Sequence, residues 1–308
     1  MNPKTYRVGR FFLLVLVGWL SGHLAIASQS ITTPENSHFI DVGQRPESVT
    51  RGFGGDLFIT VMGEPGPGDG VVKRIRGREL SVFATGLDEP KGITFVGDSL
   101  VASDLTRVVR IDQHGRVSVL AGPEAFPHEV LYLNDVAAAP DGKGVYVTDM
   151  GDRTYMWQTP GVFPPLDSEI VEKMRVVGRV YHVSLEGKVT EVIPPSRLMI
   201  NPNGVGVGNN GQILVGAFFN GYLLELRGHD LRVVAAGMRG ADAVEQDKAG
   251  NYYVSSWNQG KVWKVSPEGK STLIAEGFER AADFYLDEEH GVLHLPDMAA
   301  GKLYVIKL

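Results

Sequence analysis

The chain has 308 residues, 43% of them hydrophobic and none of them cysteine. It can therefore bury a large core, but it forms no disulfide, thiolate metal site or cysteine nucleophile. A formal charge of −6 argues against nucleic acid or an anionic membrane surface as a partner.

Lys4, Arg7 and Arg10 open the chain, followed by an apolar run from Phe11 to Leu20 and the small residues Ala25-Ile26-Ala27. This order is that of a secretory signal peptide over residues 1–27. An uncleaved anchor fits less well, because Gly18, Ser21, Gly22 and His23 cut the apolar run short of a bilayer span. Cleavage after Ala27 would remove three basic and no acidic residues, taking the charge from −6 to −9. The expectation is a secreted or periplasmic protein without stable membrane insertion, in which a short linker over 28–36 precedes the folded part.

From residue 37 onward, short alternating runs of Val, Ile, Leu, Phe and Tyr are separated by Gly, Asp and Asn turns, the pattern of antiparallel strands. After a lone strand at 37–42, six repeats begin on related tetrapeptides. These are Pro46-Glu47-Ser48-Val49, Pro90-Lys91-Gly92-Ile93, Leu133-Asn134-Asp135-Val136, Pro202-Asn203-Gly204-Val205, Ala241-Asp242-Ala243-Val244 and Ala281-Ala282-Asp283-Phe284. Units of this period stack radially, so one position in every repeat faces a common axis. The sixth repeat ends on its third strand, 302–307, and the strand at 37–42 would complete it and cover the open edge. The expected fold is all-β, a six-bladed β-propeller over 37–308 whose sixth blade is closed by the N-terminal strand.

Successive openings lie 44 residues apart from Glu47 to Asp135 and 39 from Asn203 to Asp242, but 69 from Asn134 to Asn203. The surplus, 151–177, falls in a loop of the third blade on the same face as the six openings. Its Tyr155, Met156, Trp157 and Phe163, with a short helix after Asp167, make either an apolar lid over the mouth or a surface excursion on its own blade.

Glu47, Lys91, Asn134, Asn203 and Asp242 share one register, with Ala282 and the adjacent Asp283 in the sixth repeat. Asn and Asp cap strand-entry turns on their own account. Two carboxylates and two carboxamides at one register favour a metal site instead. Such hard oxygen donors suit Ca2+ better than Zn2+, and Mg2+ or Mn2+ would accept the same set.

With Leu133-Asn134-Asp135-Val136 running to Tyr146-Val147-Thr148-Asp149, Pro202-Asn203-Gly204-Val205, and Asp242 followed by Gly250-Asn251-Tyr252-Tyr253-Val254, the chain resembles the SMP-30/gluconolactonase group of six-bladed propellers. That group is related to paraoxonase-like, diisopropylfluorophosphatase-like and strictosidine synthase-like proteins, and the resemblance covers essentially the whole mature chain. It implies Glu47, Asn203 and Asp242 as direct Ca2+ ligands, Asn134 as a ligand or substrate contact, and hydrolysis of a lactone or related ester. The chain departs from the pattern in two places. Tyr132 stands where gluconolactonase-like members tend to place an arginine for sugar-acid oxygens, which disfavours a sugar-acid lactone. Lys91 stands where paraoxonase-like members place a histidine. Its ammonium either attracts an anionic substrate or steadies an oxyanion, or it forms a structural ion pair with Glu47.

Other motifs carry less. Gly97-Asp98-Ser99-Leu100 has the letters of a lipase signature but sits in a hairpin turn, and Gly206 to Gly211 spells a dinucleotide fingerprint without a surrounding βαβ unit. His128 reads as a solvent-exposed loop residue, while Asp104, Asp149 and Asp297 either orient ligands or bond turn amides. The leading expectation is a Ca2+-dependent hydrolase of a small lactone or ester. In it Asp242 and Lys91 act in catalysis, and Tyr132, Asn134 and Lys91 contact substrate. The alternative is a non-catalytic propeller that binds a small ligand or a protein through the same face.

Overall fold

The computed structural model describes residues 31–308. The expected signal segment and the start of the linker lie outside the described residues. Six four-stranded antiparallel sheets follow one another along the chain. In blade one the strands run from the axis outward as Pro46–Arg51, Leu57–Val61, Gly70–Arg76 and Glu79–Leu87. Blade six consists of Tyr285–Asp287, Val292–Asp297 and Lys302–Lys307, and its outer place is taken by His38–Asp41 from the other end of the chain. His38 pairs with Val305 and Asp41 with Lys302. Inner strands of blades one to four touch their successors, Ala243 of blade five packs with Phe284 and Leu286 of blade six, and Ser48 bridges Asp283, so blade six meets blade one. The six-bladed β-propeller closed by the N-terminal strand is the observed architecture.

The core lies between blades. Phe58 and Val72 of blade one pack on Ile93, Leu100, Ala102 and Val109 of blade two, and equivalent clusters fill the other gaps. Middle strands are covered on both faces, so they read as continuous apolar runs such as Leu100-Val101-Ala102, all fully buried. Among the described residues, no helix is long and apolar enough to cross a membrane.

Each inner strand of blades one to five carries a register shift at its opening tetrapeptide, between Pro46 and Val49, Pro90 and Ile93, Leu133 and Val136, Pro202 and Val205, and Ala241 and Val244. Each shift sets two residues of the inner strand opposite one of its neighbour, leaving one extra residue in the inner strand. Such a bulge breaks the side-to-side alternation of a strand and re-aims a side chain. Neighbours such as Glu47 and Ser48, or Asn134 and Asp135, are consequently both buried near the axis. Gly204 makes room there, since a Cβ on it would lie 1.7 Å from the Asp242 carbonyl oxygen.

The 151–177 insertion contains the helical turn Glu169–Glu172 after Asp167. Its Met156, Val171 and Met174 pack on Ile200, Phe218 and Phe219 of blade four. Asn201 Nδ2 donates to the Met150 and Asp152 carbonyls at 2.8 and 2.9 Å, tying the insertion to the entry of blade four. The excursion therefore leans on the next blade and not only on its own.

Candidate functional site

The bulged openings bring Glu47, Lys91, Asn134, Asn203 and Asp242 to one cavity of about 330 Å³ at the axis. Each of the five is at most 4% exposed. Backbone geometry is fixed by hydroxyls from the second strands. Thr60 Oγ1 donates to the Lys91 carbonyl at 2.7 Å, Thr148 Oγ1 to the Asn203 carbonyl at 2.6 Å, and Ser103 Oγ to the Asn134 carbonyl. The same Thr60 and Thr148 hydroxyls accept the Ser48 and Asp135 amides, both at 3.0 Å. One hydroxyl thus joins the bulge of its own blade to the site residue of the next. Sequence reasoning missed these positions; the recurring Ser or Thr near the end of the second strand was the available signal.

The aspartates ending second strands bond turn amides. Asp104 accepts the Asp88 and Glu89 amides, Asp149 those of Leu131, Tyr132 and Gly151, and Asp297 those of Glu279, Arg280 and Ala300. They hold the loops that carry Glu89 and Tyr132 into the mouth. Ser99 bonds Asp98 in its turn and Arg110 of the next strand, Gly206 and Gly211 belong to a hairpin region, and exposed His128 lies 3.3 Å from Glu191.

On the cavity floor, Asn134 Nδ2 donates to Met150 Sδ at 3.1 Å and Asn203 Nδ2 to Asp242 Oδ2 at 3.3 Å. Four buried oxygens are left without a hydrogen-bond partner: Glu47 Oε2, Asn134 Oδ1, Asn203 Oδ1 and Asp242 Oδ1. Buried oxygens are ordinarily paired, so four orphans in one cavity call for a ligand. An all-oxygen set of two carboxyls and two amide carbonyls fits a hard divalent cation such as Ca2+. Among the described residues no group of three His, Cys, Asp or Glu forms a metal site, so the two asparagines are integral to the fit.

Burial pushes the Glu47 carboxyl up to about 8, with Asp283 adding to the rise and the Lys91 ammonium opposing it. Burial also raises Asp242 well above the usual carboxylate range, helped by Glu47 and Asp283. The bulge places a second acidic pair beneath the floor. Asp283 is pushed up to about 7 by burial, against hydrogen bonds from Ser48 and Asp135. Asp135 is raised chiefly by burial, then by Asp283. Its carboxylate oxygens accept the Val136 and Val205 amides at 2.6 and 2.7 Å, bracing blade four.

Lys91 forms its ion pair with Glu89, Nζ to Oε2 at 3.2 Å, and not with Glu47. Glu89 also meets Arg45 at 3.4 Å and the Tyr132 hydroxyl at 3.4 Å. The Tyr132 ring carries the Lys91 ammonium 4.3 Å from its centroid and the Arg153 guanidinium at 3.3 Å. Glu89 and Tyr132 together hold the ammonium, which still opposes the rise of the Glu47 carboxyl. Arg153, Met156 and Trp157 reach the cavity from the insertion, and neither Glu89 nor Arg153 was singled out in the sequence.

No protein-family model matches the sequence, and no curated protein matches it. Solved structures do. A gluconolactonase from Xanthomonas campestris superposes with a TM-score of 0.66 at 18% identity over 87% of both chains. A calcium-binding regucalcin from Agrobacterium tumefaciens gives 0.67 at 14% identity, over 90% of this chain and 95% of that one. The chain has the six-bladed propeller fold of these proteins. A virginiamycin B lyase from Staphylococcus aureus shares the propeller as well, with a TM-score of 0.58 at 11% identity over 87% and 96% of the two chains. Propellers host unrelated chemistries, so function has to be read from the site.

Proposed function

We propose that this chain is an exported, Ca2+-dependent hydrolase of a lactone or related ester. The observation that carries the reading is the set of four partnerless buried oxygens on Glu47, Asn134, Asn203 and Asp242 in one axial cavity. These residues would hold the cation. When bound, a divalent cation supplies Lewis-acid polarisation of the scissile carbonyl. Asp242 has one oxygen steadied by Asn203 and the other directed to no protein partner. It is suited to take a proton from an attacking water or to attack the carbonyl itself. Lys91, held by Glu89 and Tyr132, presents a fixed positive charge beside the cavity for a developing oxyanion. The basic and apolar leader supports export.

The test is metal analysis of the purified mature protein, followed by a panel of aliphatic lactones, sugar lactones and aryl esters with Ca2+ and with chelator. Metal-dependent turnover of a panel member supports the proposal. Stoichiometric Ca2+ with no turnover across the panel would favour the non-catalytic ligand-binding reading instead.

A further inference from the structure

The cavity wall above the floor differs in chemistry from the floor itself. Four of the eight methionines of the chain, Met62, Met150, Met156 and Met298, line it together with Trp157 and Trp257. Sulfur atoms of that wall already accept protein donors. Trp257 Nε1 donates to Met298 Sδ at 3.4 Å, and Met150 Sδ accepts the Asn134 amide. The two indoles lie 6.1 Å apart, and Trp157 stacks on Phe163 at 4.6 Å, which fixes the aromatic side in place. Methionine side chains adapt to irregular apolar shapes, and aromatic faces accept flat rings. A polyhydroxylated ring would find few partners there for its hydroxyls.

The rim adds charge. Lys91 and Arg45 both pair with Glu89. Arg153 is exposed, stacked on Tyr132, and makes no ion pair among the described residues. We propose that this pocket selects an amphiphilic carboxylate: a substrate whose flat apolar part lies against Trp157 and Trp257 and whose anionic group sits at Arg153. The inference rests on the hydrolase reading for its reaction, since it names the substrate class of the same cavity. It makes the insertion the specificity element, because Arg153, Met156 and Trp157 all come from it. The volume of about 330 Å³ is at the small end of ligand pockets and suits one or two fused rings.

Calorimetric titration of the mature full-length protein tests it, with 2-naphthoate, neutral 2-naphthamide and gluconate as probes. The expected order has 2-naphthoate binding at least tenfold tighter than gluconate, with 2-naphthamide between them. Arg153→Gln, at an exposed position, should weaken 2-naphthoate at least fivefold while leaving 2-naphthamide unchanged. Trp157→Ala should weaken both aromatic probes. Gluconate binding as tightly as 2-naphthoate, no binding by either aromatic probe, or an Arg153→Gln effect equal for the charged and neutral probes would overturn the assignment. The two readings fail separately. Naphthoate binding without turnover of any ester or lactone refutes the hydrolase and keeps the pocket, whereas turnover of sugar lactones without naphthoate binding does the reverse.

Discussion

The raised axial carboxyls link stability to pH and to metal. In the metal-free protein Glu47 moves from 4.5 to about 8 on folding, so the folded state holds a proton that the unfolded chain releases earlier. A group raised in this way contributes its full stabilisation below pH 4.5 and loses it as pH climbs to about 8. At about 1.4 kcal/mol per pH unit, the loss from this one carboxyl approaches 5 kcal/mol. With roughly 2 °C per kcal/mol for a domain of this size, Tm in chelator should fall by on the order of 10 °C between pH 5 and 8.5. Ca2+ would bind the ionised carboxylates, so it should restore most of that loss at pH 8.5 and give a much smaller rise at pH 5. Asp242→Ala should abolish the Ca2+ effect at both. Differential scanning calorimetry with Ca2+ and with chelator across this range measures it. A flat Tm in chelator, or a Ca2+ shift of equal size at both ends, would refute the reasoning.

Lys91→Met should lower kcat on a responsive lactone or ester by about 100- to 1,000-fold, in line with the loss of one charge-stabilising donor, while Ca2+ affinity measured by calorimetry stays equal or tightens because a like charge has gone. Thr148→Val leaves the Asn203 carbonyl and the Asp135 amide without their shared hydroxyl, and chemical denaturation should show a loss of about 1–3 kcal/mol. Removing the residues up to 42 bares the strand Lys302–Lys307 and takes away buried Val42 and the Phe39 contact with Tyr304 at 5.6 Å. Light scattering should reveal association through the new edge together with a lower melting point, and an unchanged melt and monodisperse profile would contradict the closure.

The sequence carried the repeat, and with it most of the architecture. Alternating strands and turn residues have a short period, so Val, Gly and Asp placement suffices to mark strands and hairpins. Six openings at one register then fix which residues approach the axis. The closure of blade six was legible for the same reason, since a missing fourth strand and a lone N-terminal strand are both countable. Glu47, Asn134, Asn203 and Asp242 meet in one cavity because ring closure brings equivalent positions together from blades far apart in sequence.

What the sequence left open depends on bulges, side-chain direction and cross-blade contacts. Nothing local to Asp135 or Asp283 announces a second acidic tier, because their burial follows from the extra residue in the inner strands and from the ring around them. Lys91 was equally consistent with a pair to Glu47, and only the loop anchored by Asp104 brings Glu89 within 3.2 Å to claim it. The insertion could have packed on its own blade. It lies instead against Ile200, Phe218 and Phe219, where burial of Met156, Val171 and Met174 is available only once blade four stands beside blade three. Strand identity is a short-range property of the chain, while the electrostatics and lining of the mouth exist only after six sheets have closed around one axis.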